Sequence, residues 1–167
     1  IKMTPAHKIC QIGCGGHECR HCDLFGHFGP DLESAIKGLH ASWVTHTILA
    51  SSRPSDRLNA EYGISTQLNK QGVTAIFNLQ QAGEHAHCGD GLVDGAYSYN
   101  PERFVLKGIS VYLFGWQDFG TPTLESLFKM VKVVTEEILS GGKVLVHCHA
   151  GLGRTGLLIA CYLCYGL

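Results

Sequence analysis

The run Val146-His147-Cys148-His149-Ala150-Gly151-Leu152-Gly153-Arg154-Thr155-Gly156 constrains this chain more than any other stretch. It sets a cysteine six residues before an arginine, with two glycines between them and a threonine next. Lys143-Val144-Leu145-Val146 reads as the strand that enters the run, and the apolar stretch 157–167 as the helix that leaves it. The run is then a strand-to-helix loop whose backbone N–H groups converge on an anion at a helix N-terminus. The same field favours a thiolate at Cys148 and makes it nucleophilic. Arg154 offers a planar fork to two oxygens of a phosphate. The bland reading of Cys148, a buried inert thiol, loses to this because both flanks have the required character. Cys14 and Arg20 repeat the spacing without a strand before or a helix after. They lie among Gly15, Gly16, His17 and Glu18, which suit an irregular loop.

With 167 residues, 45% of them hydrophobic, the chain has material for one real core. A net charge of −1 gives no electrostatic reason to expect nucleic acid or an acidic membrane as partner. The longest apolar run, 157–167, is too short to span a bilayer. Eight cysteines raise the question of a secreted disulfide framework. A free thiolate at Cys148 argues instead for a reducing, cytoplasmic compartment. The chain ends 13 residues after Arg154, so the sequence reads as truncated at the C-terminus, with later helices of the domain missing.

Residues 1–30 are rich in Cys, His and Gly and form a separate amino-terminal segment; 31–167 form the main domain. A short helix fits between Asp31 and His40, and one or two short strands between Ser42 and Ala50. Asp56 or Ser55 caps a helix through Gln71, ended by Gly72. The apolar run from Val73 to Leu79 reads as a strand covered on both faces. A long polar loop (Gln80 to Pro101) and another strand (Ile109 to Phe114) follow. Thr121 caps the clearest helix, with Pro122 at its first position; Leu124, Leu127, Phe128, Val131, Val134 and Ile138 recur at helical spacing. The order implies an α/β fold with a mainly parallel central sheet flanked by helices. Ligands of such sheets bind beyond the C-terminal strand ends, where Cys148 lies.

Cleavage of a phosphate ester leaves a poor oxyanion unless an acid protonates it. Asp118, in Trp116-Gln117-Asp118-Phe119-Gly120, follows the neighbouring strand and is the candidate acid; alone it reads as a polar loop residue. Thr155 is expected to donate its hydroxyl to the Cys148 sulfur, or to cap the helix. His149, Ala150, Gly151, Leu152, Gly153 and Arg154 line the expected substrate-binding loop. His147 either tunes the thiolate or is a satisfied histidine at a strand end.

These residues resemble the protein tyrosine phosphatase superfamily, in its atypical dual-specificity branch. His147-Cys148 to Gly156 is similar to the active-site loop of that superfamily, and Trp116-Gln117-Asp118 to its acid-bearing loop. Cys10 to Gly16, Ser42 to Ala50, Arg53-Pro54-Ser55, Asn78-Leu79-Gln80 and Gly83-Glu84-His85-Ala86 extend the likeness over nearly the whole chain. The resemblance implies a dual-specificity phosphatase-like fold and a phosphocysteine formed at Cys148. It further implies phosphate binding by Arg154 and a phosphoprotein substrate, with Asp118 as acid and then base. It implies no metal or cofactor in the reaction, and a location at the centrosome or cilium base. Cys88 is a possible protective disulfide partner of Cys148, as nearby cysteines are in some members. Two other readings stand beside this one. Gln117, where the superfamily usually has proline, motivates a phosphate-binding module without useful turnover. A rhodanese-like domain shares the cysteine-to-arginine spacing but fits Gly151, Gly153, Thr155 and Gly156 less well. Cys10, Cys14, Cys19 and Cys22, with His17 and His21, offer four zinc ligands, but only the last cysteine pair has finger-like spacing. A cysteine-rich loop packed on the domain is the preferred reading, and His85, His87 and Cys88 read as loop chemistry.

Overall fold

The structure, a computed structural model, describes residues 6–29 and 33–165. Its centre is a five-stranded sheet: β1 (Ala41–Trp43), β2 (Ile48–Ser51), β3 (Val73–Asn78), β4 (Ser110–Leu113) and β5 (Lys143–His147). The strand order is β1-β2-β5-β3-β4, and only the edge strand β1 is antiparallel to its neighbour. Among the described residues seven α-helices accompany it: α1 (Ala6–Cys14), α2 (Leu24–Phe28), α3 (Asp56–Tyr62), α4 (Ile64–Lys70), α5 (Glu102–Val105), α6 (Leu124–Leu139) and α7 (Gly153–Tyr165). The mixed α/β architecture agrees with the sequence reading.

The unbroken apolar character of β5 follows from its central place, since each face of the sheet carries its own core. Val144 and Val146 join Ile48, Ala75 and Phe77 beneath Met130, Val131 and Val134 of α6 and Leu158, Ile159 and Tyr162 of α7. Leu145 faces the other way, joining Leu49 and Ile76 beneath Leu58 of α3 and Ile64 and Leu68 of α4. Residues of β3 bury both faces for the same reason, Ile76 and Phe77 being fully enclosed on opposite sides.

Four expectations are corrected. The helix expected through Gln71 is two helices. Ser55 caps the first, its hydroxyl accepting from the Leu58 N–H at 3.1 Å. Gly63 then breaks the run at φ 65°, and the Asn59 side chain accepts the Ser65 N–H to start the second. The cap of α6 is Thr123 rather than Thr121, because its hydroxyl receives the Ser126 N–H, which leaves Pro122 outside the helix. Between residues 33 and 40 bends replace the short helix; Ser34 donates to the Leu39 carbonyl, while Ile36 and Leu39 are buried as core residues. Residues 31 and 32 of that expected helix lie outside the described residues. Finally, the segment around Cys14 and Arg20 is not irregular, since α1 and a 3-10 turn at Gly16–Glu18 order it.

Candidate active site

Strands β2, β5, β3 and β4 run parallel, so their C-terminal ends share one edge, with Ser51 and Asn78 paired to His147 and Asn78 also paired to Leu113. The loop after β5 therefore sits between the ends of β2 and β3, and the loop after β4 reaches it from the side. Cys148 is the first residue beyond β5 and is a buried, free thiol. Arg154 is the second residue of α7 and is also buried. Both line a cleft of about 640 Å³, together with Asp118, Glu84, His85, His149, Ala150, Leu152 and Gly153.

The loop geometry suits an anion. Gly151 takes a φ of 78°, and a Cβ there would come within 2.4 Å of the Ser51 carbonyl oxygen. The loop thus packs directly on the end of β2. Among the described residues, no backbone N–H from 150 to 155 donates to a backbone carbonyl; the first to do so is that of Gly156, to Leu152 at 2.8 Å. These amides open the helix at its electropositive end.

Arg154 is fixed from four directions. Its Nη1 donates to the Leu79 carbonyl at 3.0 Å, the Trp116 carbonyl at 2.9 Å and Glu84 Oε2 at 2.9 Å. Its Nη2 pairs with Glu84 Oε1 and, at 3.2 Å, with Asp118 Oδ1. The buried Nε–H has no partner in the protein, leaving a donor for an anion. Asp118 is held on its other oxygen by His85 Nε2 at 3.1 Å. Its loop is a tight turn closed by the Gly120 N–H on the Gln117 carbonyl, with the exposed Phe119 at a left-handed φ of 58°. Gln117 thus enters the turn through its backbone. Burial pushes the His85 imidazole below its ordinary pKa, against the pull of Asp118.

Other expected residues fall differently. Thr155 is fully buried in the first turn of α7, but its hydroxyl has no hydrogen-bond partner. The expected bond to the Cys148 sulfur is therefore not made, nor is a capping contact. Leu152 stands exposed at the rim and Gly153 begins α7. The His149 side chain lines the cleft, and its Nε2 lies 3.3 Å from Cys19 Sγ and 3.5 Å from Cys22 Sγ. Burial, and then Arg53, push its pKa down to about 2. His147 is a satisfied core histidine: its Nδ1–H donates to the Cys148 carbonyl at 3.0 Å, so its Nε2 accepts the Tyr99 hydroxyl at 2.9 Å. Burial lowers its pKa to about 4. Glu84, the main partner of Arg154, carried no role in the sequence reading. Its signals are a carboxylate in the loop that follows β3 and its place in the Gly83-Glu84-His85-Ala86 likeness.

Residues 64–166 match the family model described as "Tc-R-P: Polymorphic toxin system, DSP-PTPase phosphatase". The chain belongs to the DSP-PTPase phosphatase family. Protein tyrosine phosphatase domain-containing protein 1 of Mus musculus is 48% identical over 98% of this chain and 22% of its own length. The Bos taurus protein of the same name is 45% identical, over 98% and 20%. The chain therefore spans about a fifth of the curated relatives it matches. Among solved structures, kinase associated phosphatase with its catalytic-site cysteine changed to serine superposes with a TM-score of 0.59. It is 22% identical, covers 77% of this chain and 74% of that chain, and so shares the fold. The strand-to-helix loop at Cys148 and the loop at Asp118 both fall within the residues that match the phosphatase family.

Proposed function

We propose that the chain is a phosphomonoester hydrolase acting on phosphotyrosine, phosphoserine and phosphothreonine proteins through a phosphocysteine. The observation that carries this reading is the convergence of Cys148, Arg154 and Asp118 on one cleft, with the Arg154 Nε–H left without a protein partner. The Cys148 thiolate attacks phosphorus, forming the S–P bond as the ester P–O bond breaks, and Asp118 gives its proton to the departing oxygen. Water then attacks phosphorus, Asp118 takes its proton, and the thiolate leaves with phosphate released. Arg154 and the amides of 150–155 hold the equatorial oxygens throughout, so that positioning and electrostatics supply most of the acceleration. Among the described residues no helix is long and apolar enough to cross a membrane. The free thiols of all eight cysteines support a reducing compartment.

The test is hydrolysis of aryl phosphates by the chain, by Cys148→Ser and by Asp118→Asn, each checked for folding by circular dichroism. Cys148→Ser should abolish turnover. Asp118→Asn should slow esters of poor leaving groups by about 100-fold or more, and those of good ones far less. Turnover that survives in Cys148→Ser would sink the thiolate mechanism, and a folded wild-type chain without turnover would leave only phosphate binding.

A further inference from the structure

Beside the cleft, the amino-terminal cysteines meet the loop that follows β5. We propose that Cys14, Cys19, Cys88 and His149 bind a structural zinc ion that clamps the amino-terminal segment to the Cys148 loop. This inference is independent of whether the chain hydrolyses phosphate.

The four ligand atoms all lie within 4.8 Å of one another. Cys19 Sγ is 3.3 Å from His149 Nε2, and Cys14 Sγ is 3.1 Å from Cys88 Sγ. Tetrahedral zinc, with bonds of about 2.3 Å to sulfur and about 2.0–2.1 Å to nitrogen, spaces its ligands by roughly 3.4–3.8 Å. No ligand pair therefore needs to close by more than about an ångström to hold an ion. Three thiolates and one imidazole are a ligand set of closed structural sites, which leave no position for substrate. In the sequence, Cys10, Cys14, Cys19 and Cys22 weigh against a zinc site because only the last pair has finger-like spacing, and a site needs a second, distant pair. The fold supplies one, as Cys88 lies 74 residues from Cys14 and His149 lies 130 from Cys19. The 3-10 turn at Gly16–Glu18 brings Cys14 and Cys19 to the same place. Cys22, at 3.5 Å from His149 Nε2, stands as an outer thiol. A smaller set, Cys10, His85 and Cys88, shares only one of the four and has three ligands.

The surroundings point independently to a negative centre. Arg53 is 2% exposed. Its Nη2 donates to the carbonyls of Cys88 and His85, while its Nη1 is buried with no partner. Among the described residues no carboxylate forms an ion pair with it. A buried cation without a counter-charge is costly. On binding, three thiols lose their protons, and three thiolates with one divalent ion and a neutral imidazole leave a single negative charge beside this guanidinium. The metal-loaded cluster thus supplies the counter-charge that the protein otherwise withholds. Because His149 directly follows Cys148 and its carbonyl accepts the backbone N–H of Arg53 at 3.0 Å, the ion would fix the backbone next to the thiol.

The chain, purified under reducing conditions without chelator, should hold about one zinc per molecule by plasma mass spectrometry. Titration with a mercurial should release it in step with thiol modification. Cobalt(II) exchanged into the site should show the intense visible bands of tetrahedral coordination and near-ultraviolet thiolate charge transfer. Cys14→Ser and Cys19→Ser should weaken zinc binding by at least about 100-fold, more than loss of an outer-shell partner. Cys22→Ser and Cys161→Ser should keep it. Should a ligand variant fail to fold, the cobalt spectrum of the unaltered chain decides. A folded chain that takes up neither metal, a six-coordinate cobalt spectrum, or a Cys14–Cys88 disulfide in peptide maps would overturn the proposal. So would metal loss in Cys22→Ser but not in Cys14→Ser.

Discussion

Arg154 owes its orientation to Glu84, since a guanidinium on the first turn of a helix has several rotamers and two carbonyls alone do not choose among them. The paired carboxylate oxygens of Glu84 grip both terminal nitrogens and leave Nε–H directed to a ligand. Glu84→Gln keeps the shape but removes the charge. A hydrogen bond to a charged group contributes about 1.5–3 kcal/mol, so kcat/KM for an aryl phosphate should fall roughly 10- to 100-fold. The melting temperature should move little, because Asp118 and the two carbonyls still satisfy Arg154. Unchanged kcat/KM would remove Glu84 as a positioning residue. At this scale the sequence was legible where chemistry and spacing coincide, as at Cys148, Arg154 and Asp118. It gave no role to Glu84, which sits in a glycine-rich polar loop with no periodicity to mark it. Nor could it show that the His149 Nε2 lies against Cys19 and Cys22, because a loop residue's direction is set by what packs against it.

At the scale of elements, the loop between β5 and α7 works by approaching β2 more closely than a side chain permits. Gly151 and Gly156 look alike in the sequence, yet they do different things. Gly151→Ala would force a Cβ against the Ser51 carbonyl oxygen at 2.4 Å, at a left-handed φ that costs an L-residue about 1–2 kcal/mol. The loop must shift, and displacement of the reacting geometry by about 1 Å is enough for a loss of about 100-fold in turnover. Gly156 lies inside α7, and a Cβ there meets nothing within 4 Å. Gly156→Ala should therefore raise stability by about 1 kcal/mol through helix propensity, and leave turnover intact. Denaturant titration and steady-state kinetics on the pair decide it, and equal effects on turnover would refute the distinction. The strands at Val73 and Lys143 and the helix at Leu124 were legible because their periodicity and length leave no other reading. The break at Gly63 and the order in residues 6–28 were not. The first depends on a local cap by Asn59, and the second on cysteines meeting Cys88 and His149 far along the chain.

At the scale of the whole molecule, stability and chemistry occupy different parts of the same sheet. The two cores lie on its faces, and the reactive groups lie beyond its strand ends, where Cys148 adjoins the core beneath α6 and α7 but not the one beneath α3 and α4. Leu145 tests this separation best. It is fully buried in the core that faces α3 and α4, only three residues before Cys148 on the strand that leads into it. Leu145→Ala removes packing that the surrounding strands can only partly refill, and should lower unfolding free energy by about 2–5 kcal/mol. The direction of β5 is held by its ladders to β2 and β3 on both sides, so the position of Cys148 should persist in the folded fraction. Kinetics at a temperature well below the lowered melting point should then give a kcat/KM within about threefold of the parent, the opposite pattern to Glu84→Gln. If Leu145→Ala instead lost turnover in proportion to stability, the sheet faces and the strand-end loops would form one cooperative unit. The phosphate cradle would then depend on core packing as well as on the contacts of Glu84 and Gly151.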